Sequence, residues 1–162
     1  MNKSILTLAC IGAAALSLSA CKSPSGAQAV AAGQSADSGA CRFVRADTSG
    51  KGKNEAYMCS ASAALKSAEA KEVLNPDIRV SYGTAGGDLT SRQIANARGK
   101  TAEETCQRAF LSTIKRFQGT AEKQGSKHIR VSSYFDKRTV GGDRYECHIG
   151  TWNSRVVLRG GV

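Results

Sequence analysis

The chain has 162 residues, a formal net charge of +10, 17 glycines, six cysteines and a single tryptophan. That length suits one domain of ordinary size plus a tail, and the few aromatic residues limit it to a modest core. The basic balance raises nucleic acid as a partner, but Lys and Arg are scattered without a run of four, and the export signal read below removes the genome from reach.

Residues 1–20 read as a secretory signal: Lys3, an apolar run from Ile5 to Leu18, then the small pair Ser19-Ala20. The run is shorter than the roughly 20 apolar residues a spanning helix needs. Leu18-Ser19-Ala20-Cys21 resembles the lipobox of bacterial lipoproteins. The resemblance implies cleavage before Cys21, diacylglycerol on its thiol and acylation of the new amine, with Cys10 discarded in the leader. Lys22, rather than Asp, resembles the outer-membrane class of these proteins. The expected location is therefore the cell envelope, lipid-anchored, with the domain in the periplasm or at the cell surface. Residues 21–40 form the lipidated tether. Rich in Ser, Gly, Ala and Gln, the stretch cannot bury enough surface to offset its ordering entropy, and it would span roughly 25 Å.

Residues 41–76 read as a disulfide-closed loop or loose hairpin followed by a short helix. Cys41 and Cys59 bound the loop. The helix runs from Ala61 to Leu74, with Ser60 as N-cap and Ala64, Leu65, Ala68 and Leu74 on its packed face, until Asn75-Pro76-Asp77 stops it. Residues 77–162 form the core, and 41–162 fold as one unit. Ile78–Tyr82 alternates as a half-buried strand, and 84–100 reads as a long polar loop. The strongest element is a helix from Ala102 to Lys123. Thr101 and Glu104 make a capping box, Cys106, Ala109, Phe110, Thr113, Ile114, Phe117 and Ala121 form one apolar stripe, and Gly125 ends it. Ile129 to Phe135 and Tyr145 to Ile149 alternate as two further strands, and Trp152 to Leu158 continues the last one or makes a fourth.

The fold class expected is α+β: a small β-α-β-β sheet with the long helix packed on one face, two disulfides and a flexible N-terminal tether. The first two strands, if parallel, are joined by a right-handed crossover. Four cysteines outside the leader and lipobox allow three connectivities. Cys106 lies on the helix stripe and Cys147 on the strand face of Tyr145 and Ile149, which favours Cys106–Cys147 and leaves Cys41–Cys59.

Several stretches resemble a family of small secreted bacterial proteins whose members commonly carry the label of an ABC excinuclease component or excinuclease ATPase. The residues are Lys71-Glu72 through Tyr82-Gly83, Glu104 to Ser112, Lys123-Gln124-Gly125, Ser133-Tyr134-Phe135, Tyr145-Glu146-Cys147-His148 and Val157-Leu158-Arg159-Gly160. Cysteines at the positions of Cys106 and Cys147 belong to that pattern, which implies their pairing. The family label does not extend to activity. A phosphate-binding loop needs Gly-x-x-x-x-Gly-Lys-Ser/Thr, whereas Gly99-Lys100-Thr101 has Ile94 at the first glycine position and no predicted strand feeding it.

Catalytic and metal sites are not expected. Cys147 and His148, as strand neighbours, point to opposite faces; His128 and His148 would meet only across strands. No pair has CxxC spacing, so thiol–disulfide exchange is not expected either. Ser132, Ser133, His128, His148 and Glu146 supply hydrolase residue types without a nucleophile-elbow motif. Trp152 is expected to pack against the sheet, or else to stand exposed as a recognition residue. The candidate binding surface is Trp152, Arg130, His128 and His148, and no cofactor is expected. The function expected is that of a non-catalytic envelope lipoprotein that binds an envelope protein or an anionic component. Such components include lipopolysaccharide and phospholipid headgroups. The alternatives are an envelope hydrolase with an unrecognised site and a purely structural surface protein, its basic surface simply solvated.

Overall fold

The computed structural model describes residues 39–46 and 52–162. The signal segment, Cys21 and all but the last two residues of the tether lie outside them. The described chain is a mixed α/β fold of eight strands and three helices in the order β1 (Cys41–Ala46), β2 (Asn54–Ser60), α1 (Ala61–Lys66), α2 (Ala68–Val73), β3 (Arg79–Tyr82), β4 (Leu89–Asn96), α3 (Ala102–Lys123), β5 (His128–Phe135), β6 (Arg138–Val140), β7 (Arg144–Gly150) and β8 (Asn153–Gly161). Among the described residues no helix is long and apolar enough to cross a membrane.

Helix α3 forms as its sequence dictates. Thr101 Oγ1 accepts the Glu104 amide at 3.2 Å while the Glu104 carboxylate accepts the Thr101 amide at 2.8 Å, so two orphan donors are satisfied reciprocally. Gly125 follows with φ of 68°, a left-handed stop open to glycine. Every residue of the expected stripe is buried, and Leu111 joins it. Phe110, Leu111, Ile114 and Phe117 each contribute about 1.5–3 kcal/mol by burial. Against that face Phe110 stacks on Tyr145 at 4.3 Å, and Tyr82 meets Phe110 edge-on at 5.6 Å. Burial pushes both phenols well above the usual tyrosine range.

The disulfides pair as favoured. Cys106 on α3 joins Cys147 on β7, and Cys41 joins Cys59 across the β1–β2 hairpin. The parallel pair is also present, β3 against β5. Two readings need correction and one is extended. The helix expected over 61–74 is two, because Ser67 both ends α1 and begins α2. Its hydroxyl donates to Ala64 O at 2.7 Å and accepts from the Ala70 amide at 3.1 Å. The hairpin option is extended: β1 pairs with β2, and β2 pairs along its whole length with β7, so the two strands widen the sheet. The loop expected over 84–100 contains an eight-residue strand, β4, paired from Leu89 to Asn96 with β8. Its side chains are too polar to show a strand period; Ala95 alone is buried, and the order comes from the partner strand.

The sheet runs β1-β2-β7-β8-β5-β3, with β4 on β8 and β6 on β5. Strand β8 is the hub. One edge pairs with β4, and the other pairs with β7 over Ser154–Val156 and with β5 over Leu158–Gly161. Strands β7 and β5 therefore part at Val157, and the sheet curls around that point. Gly160 is required there, since a Cβ would lie 2.3 Å from Arg130 O.

Candidate anion-binding cradle

On β7 the alternation sends Tyr145, Cys147 and Ile149 toward α3 and leaves Glu146 and His148 on the opposite face. The registers then assemble one row across five strands of that face: Arg45, Ala56, His148, Arg155 and Ile94. A register shift between Phe43 and Arg45 sets Arg45 opposite Ala56. The small Ala56 leaves room above the sheet, and a cavity of about 450 Å³ opens there. Its walls include Arg45, Asn54, Arg92, Phe135, Asp136, His148, Arg155 and Val157.

The floor is polar and tightly held. Glu146 is 3 % exposed and His148 5 %. His148 Nε2 lies 2.8 Å from Glu146 Oε1, and Nδ1 lies 3.2 Å from Asn54 Oδ1. Phe135, freed where β5 leaves β8, stacks on the imidazole at 3.7 Å with the rings 2° from parallel. Arg138, carried in by β6, donates to Glu146 at 3.2 Å, and Arg45 stands 3.7 Å away. The Glu146 amide donates to Ser133 Oγ at 3.0 Å. A buried carboxylate is tolerated only with such partners.

Two more guanidinium groups complete the cradle. Arg92 opposes Val157 and Arg155 opposes Ile94, so they are diagonal neighbours on one face of paired strands. Among the described residues neither makes an ion pair; Arg155 reaches Asn54 Oδ1 at 3.5 Å and lies over the Phe135 ring at 5.8 Å. Among the described residues, four arginines and two carboxylates, Glu146 and the exposed Asp136, lie at or beside the cavity. Guanidinium forks match phosphate and carboxylate oxygens in pairs. The described lining holds no Ser, Thr, Cys or Lys, and its polar donors are mostly guanidinium groups.

The residues singled out from sequence are dispersed. His148 is in the cradle. His128 is at the far end of the sheet, its Nε2 2.7 Å from Ser81 Oγ. Arg130 is beside it on β5, opposite Gly161 at the end of β8, so His128 and His148 do not meet. Trp152 is 57 % exposed rather than packed on the sheet, because it caps the β7–β8 turn, where the Arg98 guanidinium covers its ring at 4.7 Å. Gly99-Lys100-Thr101 does follow a strand, β4, contrary to expectation, but Ile94 stands where the first glycine belongs and Thr101 is engaged as the helix cap. The Sγ atoms of Cys41, Cys59 and Cys106 lie within 4.8 Å of one another, yet all are in disulfides and offer no thiolate to a metal.

A second, larger groove of about 630 Å³ runs between the β1–β2 hairpin and the start of α3, walled by Cys41, Arg42, Phe43, Lys53, Tyr57, Lys100 and Glu103 among others. Sequence reading missed Arg45, Asn54, Arg92, Phe135, Arg138 and Arg155. The pair Glu146 and His148 on the face opposite Cys147 was the signal available. Compared with known proteins, the chain matches no family model, no curated protein and no solved structure.

Proposed function

We propose that this protein is a non-catalytic, lipid-anchored module of the bacterial cell envelope whose arginine cradle binds an anionic envelope component through phosphate or carboxylate groups. One observation carries the reading: Arg92 and Arg155 lie side by side on one sheet face with no carboxylate partner among the described residues. Like charges so placed repel, and an anion between them relieves the repulsion. The buried Glu146–His148 pair, with half-buried Asn54, fixes Arg138 and Arg45 at the rim, a preorganised surround for a charged ligand. The two disulfides suit an oxidising compartment, in keeping with Cys21 as the anchor and Lys22 as an outer-membrane signal. The likeness to small secreted proteins points the same way. Nucleic acid, ATP and excinuclease activity form no part of this reading.

The test is calorimetric titration of the unlipidated chain, residues 22–162, with pyrophosphate. Binding is expected, and Arg92→Ala/Arg155→Ala should weaken it at least tenfold, since hydrogen bonds to charged groups contribute about 1.5–3 kcal/mol each. Equal binding by the double variant, or none by the wild type, overturns the cradle. Separately, a fatty-acid analogue fed to cells should label the wild type and not Cys21→Ala; equal labelling overturns the anchor.

A further inference from the structure

The two disulfides are close neighbours. Cys41 from β1, Cys59 from β2 and Cys106 from α3 bring three sulfurs within 4.8 Å of one another, although Cys59 and Cys106 are far apart in sequence. The Cys106–Cys147 bond is sealed, both residues being 0 % exposed. Cys41, by contrast, lines the 630 Å³ groove beside α3, whose walls carry Arg42 and Lys100 against Glu103, with Lys53 paired to Glu55 at 3.0 Å. A cationic groove favours the approach of a thiolate, the nucleophile of disulfide exchange.

We infer that the paired disulfides form a thiol–disulfide relay that takes reducing equivalents from a dithiol in the groove and passes them to the sealed core bond. A thiolate of the dithiol attacks Cys41 Sγ, forming a mixed disulfide and releasing Cys59 as thiolate. The Cys59 thiolate attacks Cys106 Sγ, forming Cys59–Cys106 and releasing Cys147 as thiolate. The second thiol of the dithiol then closes on the first and frees Cys41. The dithiol is oxidised to a disulfide, and its two protons end on Cys41 and Cys147. One protein disulfide remains where there were two, so atoms and electrons balance. The absence of CxxC spacing does not bear on this, because the three sulfurs come from separate elements that only the fold brings together.

The test uses residues 22–162, which lack Cys10 and Cys21, with dithiothreitol as the dithiol under native conditions, acid quenching, alkylation and peptide mapping. In Cys41→Ser, with Cys59 left free, a Cys59–Cys106 bond and an alkylatable Cys147 are expected without added reductant. In the wild type the core bond should be reduced at least tenfold faster than in Cys41→Ala/Cys59→Ala. That direction is diagnostic. Loss of a structural staple alone would destabilise the fold and hasten reduction of the core bond. If Cys41→Ser retains Cys106–Cys147 with Cys59 alkylated, or if the core bond is reduced as fast in the double variant, the relay does not exist.

Discussion

Removing the core staple by Cys106→Ala/Cys147→Ala should cost the oxidised protein more stability than removing the hairpin staple by Cys41→Ala/Cys59→Ala. The sequence separations are 41 and 18 residues. In the loop-entropy relation the first bridge restricts the unfolded chain by about 4 kcal/mol and the second by about 3 kcal/mol at 25 °C. Either is a large fraction of the roughly 5–15 kcal/mol that stabilises a typical domain. With a urea dependence of about 2 kcal/mol per molar, the core variant should lose about 2 M in unfolding midpoint and the hairpin variant about 1.5 M. Urea titration followed by circular dichroism, with the slope fitted for each variant, measures both. The cradle provides an internal contrast: the hairpin supplies Arg45 and Asn54, so the hairpin variant should also bind pyrophosphate more weakly while still folded. If the hairpin variant loses as much stability as the core variant, or if both lose less than about 1 kcal/mol, chain entropy is not how these bridges act.

Gly160→Ala should destabilise by about 1–3 kcal/mol in chemical denaturation, because the added methyl meets Arg130 O at 2.3 Å and Val131 Cγ1 at 2.6 Å. Thr101→Ala should cost about 1 kcal/mol by removing the capping hydroxyl at the start of α3, read in the same assay. Asp143 accepts from the Ser60 and Ser62 hydroxyls and the Ser62 amide. Partial burial works to raise its carboxyl, but these hydrogen bonds prevail and hold it below its ordinary value. The stability it contributes is therefore complete above the unfolded value near 3.8 and is lost as pH falls through the lowered folded value. Asp143→Asn should flatten that acid limb of the stability profile, measured by denaturation from pH 6 down to about pH 2.

What could be read from sequence divides along physical lines. Helix α3 was legible to its caps, because a capping box, a 3.6-residue stripe and a terminal glycine are all local signals. The core disulfide was legible because periodicity gave the facing of both Cys106 and Cys147. Strand β4 was not, since Thr90, Ser91, Arg92 and Gln93 carry no apolar alternation and its order depends on pairing with β8. The cradle was hidden for the same reason. Arg45, Arg92, Arg138 and Arg155 lie on four strands whose registers no local pattern specifies, and one bulge in β1 decides where Arg45 lies. Glu146 was noticed as a hydrolase residue type and as part of the family resemblance; its burial against His148 and Arg138 is a tertiary fact.

Strand β8 is the shared partner of β4, β5 and β7, and all three precede it in the chain. A chain emerging N-terminus first therefore holds three strands with unsatisfied edges until residues 153–161 appear. Closing those pairings requires contacts of long sequence separation, which form late because loop-closure entropy opposes them. Without β8 the chain holds only two separate pieces, β1-β2-β7 and β3-β5-β6, and the last strand joins them late. Recognition of the unfinished chain by chaperones or proteases would thus fall in one interval, before its last strand is in place.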